Sequence, residues 1–166
     1  IVVTTLLGCN IDSIKDALSK VAVRGRVEIV PVSKKYTVII DYAHNGVSTE
    51  SILTTMRKYN PKRIVSLFGC GGNRSKDRRY DMGEVSGKYA DLSILTEDNS
   101  RYEDVNDIIN DIEVGIKKTD GKYIKIPDRR EAIKYAIDNN AKVILLSHLG
   151  RIKTLSDKEK NSLYPI

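Results

Sequence analysis

The chain is poor in aromatic and sulfur-bearing residues: its 166 positions include no tryptophan, one phenylalanine and two cysteines. Nine tyrosines are present but dispersed, so the sequence offers no stacking platform for exposed bases. Cys9 and Cys70 lie far apart with no second pair. That spacing argues against a disulfide framework and a zinc site, and fits a reducing, cytoplasmic compartment. No apolar run reaches membrane-spanning length. The opening stretch, residues 1–7, is too short for that and lacks the basic start of a signal peptide. Internal repeats and low-complexity segments are absent. The first residue is Ile1 rather than Met, and the chain reads as cut from a longer protein.

Hydrophobic residues make up 40% of the chain, enough for the core of one domain. The formal charge of +6 suits an anionic ligand. Lysines scattered through 14–20 and 116–125, however, more often form a solvated face than a binding stripe. Apolar spacing predicts helices over 12–21, 48–59, 82–89, 105–116 and 130–137, with Asp12, Ser48, Thr49 and Asp104 as cap candidates. Short apolar runs predict strands at 27–30, 36–40, 64–68, 92–96, 123–126 and 143–146. This alternation predicts an α/β fold, a Rossmann-like three-layer sandwich with a mostly parallel sheet of about six strands. Ligand sites of such sheets lie beyond the carboxyl ends of the strands. The loops 41–46, 69–79, 97–104 and 147–151 are therefore expected to converge.

Asp41-Tyr42-Ala43-His44-Asn45-Gly46 places an acid, an imidazole and an amide directly after a buried strand. Such residues stabilise turns. They also suit a ribose hydroxyl or metal-bound water at Asp41 and a phosphate or base edge at His44 and Asn45; spacing does not decide between the two. Phe68-Gly69-Cys70-Gly71-Gly72-Asn73-Arg74 is a glycine-rich loop whose amides can approach an anion. It lacks the Gly-Lys-Ser/Thr of a P-loop and the spacing of a dinucleotide fingerprint. Arg74, Arg78 and Arg79 offer three guanidiniums for carboxylate or phosphate, or simply a basic surface. The run from Glu97 to Asp104 mixes both signs. It suits a zwitterion, with Arg101 on the carboxylate and Asp98 on the ammonium, or a capped loop in which Asp104 opens the next helix. Cys70 has no clear histidine partner and reads as a small loop residue, not a nucleophile.

In order and content these segments resemble the C-terminal domain of the Mur ligases, ATP-dependent amino-acid-adding enzymes of peptidoglycan synthesis. Within them the resemblance is to the diaminopimelate-adding branch, the UDP-N-acetylmuramoyl-tripeptide synthetases. Gly25-Arg26-Val27-Glu28 is similar to the family's Gly-Arg-x-Glu, residues 41–45 to its Asp-Tyr-Ala-His-Asn/Thr, and residues 68–74 to its Phe-Gly-Cys-Gly-Gly-Asp/Asn-Arg. Asp98-Asn99-Ser100-Arg101 is similar to its Asp-Asn-Pro-Arg, and Met82-Gly83 and residues 128–133 follow in order. The resemblance implies that residues 1–22 are the helical end of a preceding central domain and 23–138 the C-terminal domain. It implies ATP contacts at Arg26, Asp41, His44 and Asn45, and amino-acid contacts at Arg74, Asp98, Asn99 and Arg101. Arg74 and Arg101 would hold a distal carboxylate. Ser100 stands where the family has proline, which leaves the loop less rigid. Arginine at 101 favours meso-diaminopimelate over lysine, because it pairs with a carboxylate and repels an ammonium.

The intact enzyme would add meso-diaminopimelate to UDP-MurNAc-L-Ala-D-Glu through an acyl phosphate, using ATP and Mg²⁺. This chain has no P-loop, so it is expected to carry no catalytic residue and no metal site, and to be silent without the central and N-terminal domains. Its partners would be small molecules, not nucleic acid or membrane. One departure stands out: the family's Gly-Lys-Gly-His-Glu box, expected after the last strand, is absent. Residues 141–151 are instead similar to a phosphoglycerate kinase segment ending in Ser147-His148-Leu149-Gly150-Arg151, a likeness that continues through Lys153 and Asp157 to Ser162-Leu163. It implies His148 and Arg151 as anion contacts, and a fusion or engineered chimera in which 139–166 complete the domain. Residues 154–166 are polar enough for a loosely held tail. The alternatives are a chimeric domain with no activity and a phosphometabolite-binding module using Arg74, Arg78, Arg79, His148 and Arg151.

Overall fold

The structure, a computed structural model, describes residues 1–21, 23, 25–31, 33–139 and 143–146. The strands β1 (Glu28–Val30), β2 (Val38–Asp41), β3 (Val65–Phe68), β4 (Leu92–Leu95), β5 (Tyr123–Lys125) and β6 (Val143–Leu146) form one sheet in the order β1-β2-β6-β3-β4-β5. β1 runs antiparallel to β2, and the other neighbours are parallel. The helices are α1 (Val2–Leu6), α2 (Ile11–Lys20), α3 (Gly46–Lys58), α4 (Lys76–Tyr89), α5 (Val105–Ile116) and α6 (Arg129–Asp138). This is the Rossmann-like α/β class expected.

Alternation along β3 and β4 creates the layers. Val65, Leu67, Leu92 and Ile94 pack against Ala132, Ile133 and Ala136 of α6. Phe68 and Leu95 pack on the other face with Leu53 of α3, Met82 of α4 and Ile109 and Ile112 of α5. The steps from β2 to β5 thus place α3, α4 and α5 on one face. The return step to β6 places α6 on the other, as right-handed crossovers require. β6 sits in the middle of the sheet, with Leu146 in register with both Asp41 and Phe68.

Three helix starts differ from the sequence expectation. Asn10 caps α2 by accepting from Asp12 N at 2.7 Å, so Asp12 lies inside the first turn. Asn45 caps α3 in a reciprocal box with Ser48, ahead of the Ser48 and Thr49 expected. α4 begins at Lys76, not 82. It carries little apolar signal because its packing face is small: a Cβ on Gly83 would lie 2.1 Å from Ile112 O of α5, and one on Gly115 would lie 2.0 Å from Tyr80 O of α4. The two helices touch backbone to backbone. α2 buries only Ile14, leaving Ile11 and Leu18 exposed. Among the described residues no helix is long and apolar enough to cross a membrane.

Candidate functional site

At the carboxyl ends of β2, β3 and β4, three loops enclose a cleft of about 320 Å³ lined by Tyr42, His44, Cys70, Arg74, Arg78, Asp98, Asn99 and Arg101, among others. The fourth expected loop, with His148 and Arg151, lies outside the described residues.

The first loop is organised by Asp41. Its carboxylate is buried and accepts from two backbone amides, Val27 N at Oδ2 and Ala43 N at Oδ1, both at 2.8 Å. Val27 has a φ of 47°, an uncommon conformation for a β-branched residue. The Asp41 bond holds that turn at the end of β2. It brings the Arg26 guanidinium to 4.5 Å from the Tyr42 ring centroid, a cation–π contact. Tyr42 and His44 follow with ring centroids 5.1 Å apart. His44 Nδ1 lies 3.1 Å from the Tyr42 carbonyl oxygen, which can only accept, so Nδ1 carries a proton and Nε2 is the acceptor of the neutral ring. Asn45 Oδ1 accepts from Ser48 N at 2.9 Å and from Ser48 Oγ at 3.0 Å, as the helix cap. Of the four expected ATP contacts, Arg26 and His44 are exposed, whereas Asp41 and Asn45 have their oxygens on the fold itself.

The second and third loops are joined. Gly72 N donates to Asn99 O at 2.8 Å. A Cβ on Gly72 would lie 1.8 Å from Ser100 O, so no other residue fits without moving the neighbouring loop. Asn73 and Arg101 both adopt positive φ, 51° and 54°, at the two loop tips. Asn73 N donates to Glu103 Oε1. Cys70 is buried, its thiol pushed up to about 12 chiefly by that burial and further by the Asp98 charge. That chemistry excludes a thiolate nucleophile at neutral pH.

Arg79 is a correction. Expected to grip a ligand with Arg74 and Arg78, it is instead 1% exposed and forms a two-pronged pair with Glu103 at 2.8 and 2.9 Å. It also pairs with Asp111 at 2.8 Å. Hydrogen bonds from Arg79, then from Asn73 N, hold the Glu103 carboxyl down at about 2. Arg129, also buried, donates to Glu97 O at 2.6 Å under the Asp98 loop. Its burial lowers the guanidinium pKa, while Asp98 and Glu97 oppose that shift. Tyr42, Glu103 and Arg129 were given no role in the sequence reading. Among the described residues, no group of three or more His, Cys, Asp or Glu side chains is placed to hold a metal ion.

The family described as Mur ligase, glutamate ligase domain, matches residues 25–147. A UDP-N-acetylmuramoyl-L-alanyl-D-glutamate–2,6-diaminopimelate ligase of Caldanaerobacter subterraneus subsp. tengcongensis is 47% identical over 152 residues, 90% of this chain and 32% of the relative. The ligase of the same name from Aquifex aeolicus is 44% identical over 158 residues, 95% of this chain and 32% of the relative. A solved structure of a ligase of that name superposes with a TM-score of 0.66 at 29% identity, over 87% of this chain and 30% of the other. The chain thus spans about a third of the length of the curated relatives it matches. A phosphoglycerate kinase origin for 139–166, and with it a chimera, finds no support in these matches, and the family match itself runs past residue 138, to 147. The chain belongs to the Mur ligase family, as its glutamate ligase domain.

Proposed function

We propose that this domain holds the incoming amino acid for a ligase that joins meso-diaminopimelate to UDP-MurNAc-L-Ala-D-Glu in the cytoplasm. The observation that carries the reading is the convergence of Arg74, Arg78 and Arg101 with Asp98 and Asn99 in one cleft. Diaminopimelate ends in a zwitterion. Arg74 and Arg101 take its distal carboxylate, Asn99 adds a polar contact and Asp98 meets the ammonium. Lysine brings only the ammonium, and the paired guanidiniums repel it.

Arg26, stacked on Tyr42, and His44 Nε2 fit one side of a nucleotide: a fixed cation and an acceptor at the same strand end. ATP, when bound, supplies the phosphoryl group that activates the acceptor carboxylate. Arg26 offsets phosphate charge there, and Asp41 and Asn45 act by fixing Arg26, Tyr42 and His44 in place. The phosphate loop and the peptide precursor site belong to preceding domains, against which the exposed apolar residues of α1 and α2 would pack.

Calorimetry of the chain with meso-diaminopimelate, L-lysine and 3-phosphoglycerate tests the assignment. A charge-assisted pair contributes about 1.5–3 kcal/mol, so diaminopimelate should bind roughly ten- to a hundredfold tighter than lysine. Equal affinity for the two, or a response to 3-phosphoglycerate alone, overturns it.

A further inference from the structure

The ion network around the buried Arg79 touches both loops that carry the cleft arginines. Glu103 is the member that spans them. On one side it accepts from Asn73 N, the residue before Arg74. On the other, its own N–H donates to Ser100 O at 3.0 Å, closing the turn whose tip is Arg101. Beneath, Arg79 clamps both of its oxygens and also reaches Gly71 O at 3.4 Å. Arg79 is anchored in turn to α5 through Asp111, which Lys76 approaches at 3.2 Å. Asn73 and Arg101, the positive-φ residues of these two loops, are thus both tied to Glu103, the first through its carboxylate and the second through the turn closed by its backbone N–H. Positive φ is uphill for such residues and persists where the surroundings over-determine it.

We propose that Glu103 is a positioning residue for amino-acid selectivity: a latch between the glycine-rich loop and the Asp98–Arg101 loop that fixes the separation of the Arg74 and Arg101 guanidiniums. It rests on the reading of the cleft as a diaminopimelate site. The consequence is specific. A distal carboxylate shared by two guanidiniums needs them at one spacing, whereas a ligand without that carboxylate does not sense the spacing. Loss of the latch therefore lowers affinity for diaminopimelate and leaves the weak binding of lysine unchanged.

Glu103→Gln keeps the side-chain shape but turns an amide N–H₂ toward a donor, Arg79 or Asn73 N. Asp111→Asn weakens the other anchor of Arg79 and leaves Asn73 and the Ser100 turn untouched. Calorimetry on both variants and on the unmodified chain gives the ratio of lysine to diaminopimelate dissociation constants. With E103Q the ratio should fall about tenfold, the scale of one charge-assisted hydrogen bond. With D111N it should stay within twofold even where thermal stability drops. Amide exchange at Asn73, read by NMR, should accelerate in E103Q and not in D111N. A ratio unmoved in E103Q, or moved equally by both variants, overturns the latch. No diaminopimelate binding by the unmodified chain overturns the site reading itself, and the latch with it.

Discussion

Gly72→Ala is the most direct test of how the two cleft loops are assembled. Gly72 does not have a positive φ, so backbone strain is not at issue. What forbids alanine is Ser100 O, 1.8 Å from the new methyl, with Ser100 C at 2.6 Å. To restore even 3.0 Å, the Asp98–Arg101 loop must retreat by at least the 1.2 Å difference from 1.8 Å. That movement breaks the 2.8 Å bond from Gly72 N to Asn99 O. Overpacking of this kind costs about 1–3 kcal/mol, and the lost hydrogen bond about 0.5–1.5 kcal/mol. The sum is roughly 1.5–4.5 kcal/mol. For a chain of this size it lowers Tm by roughly 3–18 °C. Urea unfolding followed by circular dichroism reads the change as a lower midpoint at constant slope. Gly71→Ala is the internal control, because its nearest neighbours are at 3.8 and 3.9 Å and no positive φ is involved. It should stay within about 0.5 kcal/mol of the unmodified chain. Equal effects at the two positions, or a neutral G72A, would refute the close approach of the loops.

Asp41→Asn keeps one acceptor and turns an N–H₂ toward Val27 N or Ala43 N, costing about 1–3 kcal/mol; amide exchange at Val27 should quicken, and unchanged exchange there would discredit Asp41 as the anchor of the Arg26 turn. Glu103 and Glu113 are both held at about 2, Glu103 chiefly by Arg79 and Glu113 chiefly by Lys125. Because the folded values lie below the ordinary 4.5, their stabilisation is present above about pH 4.5 and is lost as pH falls toward 2. The urea midpoint should decline over that window, and Glu113→Gln should flatten part of the decline; a pH-independent midpoint contradicts the pairing. Titration with a thiol reagent at pH 8 should find one fast thiol, exposed Cys9, and a second only after unfolding, since burial pushes Cys70 up to about 12. Two fast thiols would mean that the glycine-rich loop opens readily.

Strands and amphipathic helices were legible because burial writes itself as period. β3 and β4 are short apolar runs enclosed on both faces, and α5 begins and ends at the residues its isoleucine spacing marks. Caps were less so. Asn10 and Asn45 compete with Asp12, Ser48 and Thr49, which are equally good cap residues, and only the backbone geometry selects among them. Site residues divide along the same line. Arg74, Asp98, Asn99 and Arg101 lie on loops at strand ends, and strand order alone brings them together. The binding of Asp41 to Val27 N joins residues 14 apart, through a turn that no local pattern announces.

Arg79 shows how such a misreading arises and how it could be avoided. Read as a run, Arg74, Arg78 and Arg79 are three equivalent cations. Read as a helix that starts at Lys76, they are not, because neighbouring positions face directions about 100° apart. The buried face of α4 is Met82, Gly83, Ser86 and Gly87. Carried back along the helix, that face centres on position 79, three before Met82 and four before Gly83, whereas 78 is reached from Met82 alone and is exposed. An arginine on a buried face must find carboxylates, since an unpaired buried charge costs several kcal/mol. On α5 the stripe of Ile108, Ile112 and Gly115 includes Asp111, and Glu103 lies just ahead of the Asp104 cap. The ion network beneath the cleft is therefore implicit in helix phase once the first turn of α4 is recognised. The obstacle was that a turn of Lys-Asp-Arg-Arg, packed by glycine and serine, carries no apolar signature of a helix.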